Sequence, residues 1–561
     1  MTTLNSASDV RVRRWLTFTL CVPLLACNGS GVPEGIGATA PGLVSSDTDS
    51  QGATGSTCGP EVETTTIPMP AGVLRPRTSG FVPDAASGVL FQYTDATTNR
   101  TEIGYILTDG SGFRCISCNA AFDAVPDFVP GQAFPDGKRF IVQSGENDTM
   151  GQLAYYVAAC APSIAACDNV TIRPIEGFPG GIKLQDRVPK LSPDGSTFVW
   201  TRIRPDGYFM LAAPIVQGAK SYTIGEARVL NPPAPSGSGD AGALSVASAW
   251  YEAKSVSHDG TTLAFAGTLG DSMNLDWFLM DLASGSVLRL TRDADWDEGG
   301  QLFPGGRYMT GGRSRGGNVL ASLAALPRPP LFDYAVIGAI TNYYLPRGNA
   351  LPALRPKRSR LVPHLLDLNC TDTENGATTV GDHDEGWIGD GGGGNTWSRD
   401  GQRFVNGERR EDDPNTTRLR VGMIQGAPAN VDPPSPMVIP AWAPRLADLP
   451  SPLSPTVQQQ TLQGPHGGTA TISFMGDMLA GEFIVQYTGY SSDGCSTLDG
   501  VQRAIVASPL VAHYRESLML SGCENGTSDV DVVFADAATH GHAQGERNGV
   551  SYERSFGCSS P

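Results

Sequence analysis

The sequence predicts an all-β protein, and three observations carry that prediction. Turn-forming residues are abundant, with Gly 68 and Pro 42 in a chain of 561 residues. Long apolar stretches of helical period are scarce, whereas short alternating runs bounded by Gly, Asp, Asn and Pro recur. Third, one stretch keeps returning. LSPDGSTFVW (191–200) is matched by AFPDGKRFIV (133–142), VSHDGTTLAF (256–265), LFPGGRYMTG (302–311) and WSRDGQRFVN (397–406), and more loosely by FVPDAASGVLF from Phe81. Asp-Gly before an alternating run signals a hairpin, and the favoured two-residue turn sets both central residues at positive φ.

The folded part does not start at residue 1. Arg11, Arg13 and Arg14 precede the apolar run WLTFTLCVPLLA, which is too short to span a bilayer and has the length of a signal-peptide core. It ends in Leu24-Leu25-Ala26-Cys27, which resembles the lipobox of bacterial lipoproteins. That resemblance implies a signal peptide over 1–26 and lipidation of Cys27. Asn28 rather than aspartate follows, which favours the outer membrane. Residues 27–66, rich in Gly, Ser, Thr and Ala, then read as a flexible tether with a reach of about 35 Å.

Further along, the aspartates of the repeated turns, or the glycine replacing one, fall at 84, 136, 194, 259, 305 and 400. Successive spacings of 52, 58, 65 and 46 each suit one four-stranded unit, and the last gap is about twice as long. In DWFLMDLASGSVLRLTRDADWDEGGQLFPGGRYMTGG (276–312) a strand ending in Met280-Asp281 reaches a Ser-Gly turn, then VLRLT, an acidic loop and the next hairpin. This pattern resembles the β-propeller repeat of the TolB family, through SPDG, an alternating strand and an MDxDG…RLT segment. The resemblance covers about residues 67–440 and implies a six-bladed propeller. Seven blades are the alternative, if a degenerate blade sits near LPRGNAL (345–351) where an insertion over about 327–375 would otherwise lie. The α/β domain that precedes the propeller in TolB-like proteins has no counterpart, since only the tether stands there. A blade cannot bury its own faces, so the copies have to close into a ring. Prolines crowd the linker at 441–460, and the alternating segments of 461–561 read as a small β-sandwich-like domain.

The formal charge of −17 argues against nucleic acid as a partner, and against an anionic membrane surface. Apart from Cys21 and Cys27, cysteines stand at 58, 115, 118, 160, 167, 370, 495, 523 and 558. In an oxidising envelope compartment the pairs to expect are Cys115 with Cys118, Cys160 with Cys167 around a hairpin loop, and Cys495 with Cys523 in neighbouring strands. The Cys115-Ile-Ser-Cys118 spacing lacks the strand–helix context of a redox pair, and no second CxxC completes a zinc site.

Two motifs share the form D-x-D-E-G: Asp295, Asp297 and Glu298 in one, and Asp382, His383, Asp384 and Glu385 in the other. Their carboxylates suit Ca²⁺, and His383 suits a transition metal or a general base; solvated capping turns are the plainer reading. Gly312-Arg313-Ser314-Arg315-Gly316 has the letters of a nucleophile elbow but falls at a hairpin inside a repeat. GDGGGGNT (389–396) lacks the Lys-Ser/Thr of a P-loop. A basic cluster runs from Arg355 to Arg360, and His540-Gly-His542 puts two imidazoles on one face of a strand with no third ligand evident. The sequence therefore favours a lipid-anchored envelope protein, bound to the membrane through Cys27. Its propeller would engage a protein, peptide or glycan without catalytic residues. The rival is a propeller-channel enzyme, a metal-assisted polysaccharide lyase or hydrolase.

Overall fold

The computed structural model describes residues 59–556 except 84–87, 124, 126–127, 145–152, 179–183, 235–238, 293, 295, 315–319, 345–360, 371–376, 381–385, 390–395, 411, 414, 428–431, 450–457 and 536–537. The signal, Cys27 and nearly all of the tether lie outside the described residues, as does the Arg355–Arg360 cluster. No described helix is long and apolar enough to cross a membrane.

Nearly all regular structure is antiparallel sheet. The first sheet pairs Val73–Phe81, Gly88–Asp95, Thr101–Leu107 and Arg114–Cys115 in chain order, and the second pairs Val129–Ala133, Arg139–Ser144, Ala154–Ala161 and Asn169–Glu176. The third contains Gln185–Leu191, Thr197–Arg204, Gly207–Gln217 and Arg228–Val229, with Tyr222–Ile224 bridging it to the second. Helix α1 (Gly239–Ser248) leads to the fourth: Tyr251–Val256, Thr262–Gly267, Asp276–Asp281 and Val287–Arg289. The fifth is Asp297–Leu302, Tyr308–Ser314, Leu361–Asp367 and Ala377–Thr379. The sixth joins Trp387–Gly389 and Thr396–Trp397 to Arg403–Arg410, followed by Thr417–Ile424 and, outermost, Val62–Thr66.

That last pairing shortens the expected tether. Val62–Thr66 runs antiparallel to the end of the ring, Val62 opposite Ile424 and Thr66 opposite Arg420. The stretch VETTT has no apolar alternation to announce a strand; its partner supplies the order. The first strands of successive sheets lie against one another from the first sheet to the fifth, and Thr396–Trp397 returns to the first. The fifth and sixth are joined by Trp397 Nε1, which donates to Gln301 O at 3.0 Å. Polar staples recur at these seams: Leu191 N to Gln132 Oε1 at 3.0 Å, Ala253 N to Thr201 Oγ1 at 2.9 Å and Leu302 N to Ser255 Oγ at 3.0 Å.

Each repeated turn among the described residues joins the first strand of a sheet to the second, but not through the turn expected; the first, at 84–87, lies outside the described residues. Gly195 N donates to Ser192 O at 2.8 Å, and the same bond links Gly260 to Ser257 and Gly401 to Ser398, both at 2.9 Å. Only the glycine takes positive φ (74° at Gly195), while Asp194 does not. The turn is therefore type I with a left-handed glycine after it, a geometry that Pro193 at the second position pre-sets. The serine hydroxyl completes it, donating to Asp194 Oδ1 at 2.5 Å and accepting from Thr197 N at 3.0 Å. A side chain at Gly195 would be strained by φ and would meet Pro135 Cδ of the neighbouring turn at 2.8 Å.

The long final gap is an insertion between the second and third strands of the fifth sheet. It carries the buried run Leu320–Leu326 and helix α2 (Asp333–Tyr344). Residues 345–351, where a further blade was conceivable, lie outside the described residues.

The C-terminal strands form one eight-stranded sheet in chain order from Gln458–Gln463 to Val550–Phe556, not two facing sheets. The second layer comes from elsewhere in the chain. Leu323, Leu326, Phe332, Val336 and Ile340 of the insertion belong to the same buried cluster as Phe483, Val485, Tyr514, Val532 and Phe534 of the sheet. That cluster continues into Trp250, just before the fourth sheet, and Phe265 and Trp277 within it. At its centre Arg328, fully buried, pairs with Glu516 at 2.7 Å and donates to Leu323 O and Leu326 O, both at 2.7 Å. Gln502 donates to Glu516 at 3.1 Å and to Tyr514 OH at 2.9 Å, and accepts from Tyr487 OH at 2.8 Å. The Pro-rich segment packs along the ring rather than spacing two domains. Val229 N donates to Pro444 O at 2.9 Å, Leu446 N to Ala227 O at 2.9 Å and Trp442 Nε1 to Leu282 O at 2.9 Å.

Two outcomes follow for stability. A chain starting at residue 67 loses the outer strand of the sixth sheet and is expected to be less stable by on the order of 3–5 kcal/mol in urea, at about 1 kcal/mol for each lost backbone bond. Arg328→Met strands the Glu516 carboxylate and is expected to cost roughly 3–5 kcal/mol. Adding Glu516→Leu should restore part of that loss, and a double variant no better than the single one would refute the pairing as its cause.

Candidate functional site: the inner edge of the ring

The first strand of each sheet is paired on one side only, so its other edge faces the middle of the ring. On three consecutive sheets these strands carry charged residues, and in the first two the register shifts within the charged stretch, between Arg187 and Lys190 and between Ala253 and Ser255. Arg187 and Lys190 come from Gln185–Leu191, Glu252 and Lys254 from Tyr251–Val256, and Glu298 from Asp297–Leu302. Each irregularity re-aims a side chain, and these residues meet across the seams. Arg187 Nη2 lies 3.4 Å from Glu252 Oε1, and Lys254 Nζ 2.9 Å from Glu252 Oε2 and 3.8 Å from Glu298 Oε1. Glu252 and Lys254 are buried, while Arg187, Lys190 and Glu298 keep partial access. Enclosure, and then the neighbouring Lys254 ammonium, push Lys190 down to about 8 against the opposing pull of Glu252. This lysine still carries its charge at neutrality but gives up its proton just above it.

Behind this wall a second layer of charge is sealed inside the sheets. Asp186 takes both Arg202 Nε at 2.7 Å and Trp200 Nε1 at 3.0 Å. Asp297 takes Arg313 Nε at 3.0 Å, and Arg313 also lies 5.9 Å from the Trp277 ring centre. These buried pairs are matched charge for charge, which keeps the interior neutral.

The first D-x-D-E-G motif was expected to be an acidic loop. Its described part is strand, with Asp297 and Glu298 on opposite faces, one paired to Arg313 and the other to Lys254. Two carboxylates directed to opposite faces do not converge on one ion. Asp295 and all of Asp382, His383, Asp384 and Glu385 lie outside the described residues, as do residues 390–395 of the glycine run. The Gly312–Gly316 stretch does not fill a hairpin tip: its first three residues end the second strand of the fifth sheet, between two partners. All three expected disulfides are present, Cys115–Cys118, Cys160–Cys167 and Cys495–Cys523, and Cys370 is also disulfide-bonded. Among the described residues Glu102, Cys115 and Cys118 are spaced to surround an ion, but both thiols are spent in the bridge.

Sequence reading missed the wall itself. Its signal was present: Lys190, Lys254 and Glu298 each stand a few residues before successive repeat turns, though only Glu298 was singled out, and there as part of an acidic loop. Lys190 is expected to react with an amine-acylating reagent at pH 7.5 faster than exposed Lys138 or Lys220, because a larger fraction of it is neutral. Equal or slower labelling, read by peptide mass spectrometry, would contradict the lowered proton affinity.

No family model matches this chain, and neither does any curated protein. Solved structures that resemble it include TolB from Acinetobacter baumannii, at 14% identity over 66% of this chain and 67% of that one, with a TM-score of 0.28. The putative TolB from Agrobacterium tumefaciens is 14% identical over 52% of this chain and 76% of that one, with a TM-score of 0.31. A puromycin hydrolase is 15% identical over 76% of this chain and 53% of that one, with a TM-score of 0.32. At such values the all-β ring rests on its own strand pairing.

Proposed function

We propose that this chain is an exported, lipid-anchored binding protein whose ring is a six-bladed propeller engaging a protein, peptide or glycan ligand at its inner edge. The observation that carries this reading is the charged wall of Arg187, Lys190, Glu252, Lys254 and Glu298. Three cations against two carboxylates leave a locally positive sector in a chain of net charge −17. Such a sector attracts an anionic group, and the buried pairs behind it hold the wall rigid before any ligand arrives. Six blades accord with one sheet for each repeated turn and with Val62–Thr66 completing the last. Export and anchoring through Cys27 follow from the sequence, and three disulfides fit an oxidising compartment. The outer membrane is the proposed address.

The test is capture from envelope extract with residues 28–561 as bait, beside a Lys190→Glu variant and with or without EDTA. A partner held by the native wall and lost from the variant is the expected result. A partner held equally by both moves the site off this wall, and loss with EDTA alone ties binding to a cation such as Ca²⁺ instead. Capture of nothing counts against a stable binding role.

A further inference from the structure

We propose a divalent transition-metal site on the outer face of the C-terminal sheet, with His540, His542 and Asp531 as its ligands. It stands apart from the ring and does not depend on the function proposed for it.

The strand His540–Arg547 places His540 and His542 on one face, and both are exposed. What the sequence left without a third ligand, the register supplies. His542 stands directly opposite Asp531 on the neighbouring strand, and His540 opposite Val533. From the other side His513 faces Val533 and Arg515 faces Asp531. Residues directly opposite have Cβ atoms about 5 Å apart, and alternate residues of one strand about 7 Å apart. As the side chains stand, these three donors are not gathered within one ion's reach, since the described group so spaced is Glu102, Cys115 and Cys118. The register lets rotation of the two imidazoles and the carboxylate bring them together while the backbone stays in place.

Two of the three donors already make hydrogen bonds. His540 Nδ1 lies 2.8 Å from Ala538 O. A carbonyl only accepts, so Nδ1 carries the proton and Nε2 keeps its lone pair free for a metal. A ring nitrogen fixed on a backbone carbonyl is the usual means of orienting a metal-binding imidazole. Asp531 is held in turn by His513 Nε2 at 2.6 Å and by Arg515 Nε at 3.2 Å. Metal entry exchanges the Arg515 contact for the ion, while His513 stays on the other oxygen and steadies the carboxylate.

Two imidazoles and one carboxylate suit Zn²⁺, and also Cu²⁺ or Ni²⁺, far better than Ca²⁺, whose sites are built from oxygen. The face is open to solvent, so at least one coordination position remains for water or for a group from another molecule.

Calorimetric titration of ZnCl₂ into residues 28–561 tests this. One Zn²⁺ per chain is expected, with affinity falling at least about tenfold in each of His540→Ala, His542→Ala and Asp531→Asn. His466→Ala, on a different loop, should bind as the parent does. The ligand side chains lie on the outer face, so circular dichroism of each variant should match the parent. No uptake by the parent at millimolar Zn²⁺, or unchanged affinity in the His540→Ala/His542→Ala double variant, would overturn the site. Replacing Zn²⁺ by Cu²⁺ adds a second readout: nitrogen hyperfine structure from two imidazoles in the parent, lost in the double variant.

Discussion

Every sheet of the ring has edges and faces that water would otherwise reach, and the need to cover them organises the whole molecule. Along the ring each first strand leans on the next, and the staples from Gln132, Thr201 and Ser255 satisfy backbone groups at the seams. The circle is completed by strand pairing: Val62–Thr66, from the start of the described chain, lies against Thr417–Ile424, from the end of the ring. Closing a ring this way ties together residues far apart in sequence.

The same need governs the C-terminal sheet, which has eight strands and an apolar face too large to leave bare. It is covered by Leu320–Leu326 and helix α2, inserted within the fifth sheet. The ring and the C-terminal sheet therefore share one core, and the buried Arg328–Glu516 pair lies inside it. A charge pair of this kind gives little net stability, but it tolerates few alternative packings, since each oxygen and nitrogen requires its own partner.

The repeated turn was plainly legible, because Asp-Gly and an alternating run are local signals and returned often enough to count. Its detailed geometry was not, because the bond from Gly195 N to Ser192 O, not the Asp-Gly pair alone, sets the turn. The paired cysteines were legible from spacing. The strand at Val62–Thr66, the docking of the proline-rich segment and the filling of the C-terminal sheet were hidden, since each depends on contacts between distant residues. The inner wall shows the same limit: Lys190 and Glu252 announce charge, but only the packing of one sheet against the next shows that they meet. His540 and His542 were visible as a pair on one strand, whereas Asp531 joined them only through register.

Sharing a core between distant segments has a consequence for how the chain is made. Leu320–Leu326 and helix α2 are synthesised well before the strands that cover them. Until the last strands arrive, an apolar helix and the buried end of Arg328 have no lasting place. A chain released early would carry that surface uncovered and remain open to proteases and aggregation. Only the C-terminal sheet can hide it, so those later-made strands act as a seal over a core laid down before them.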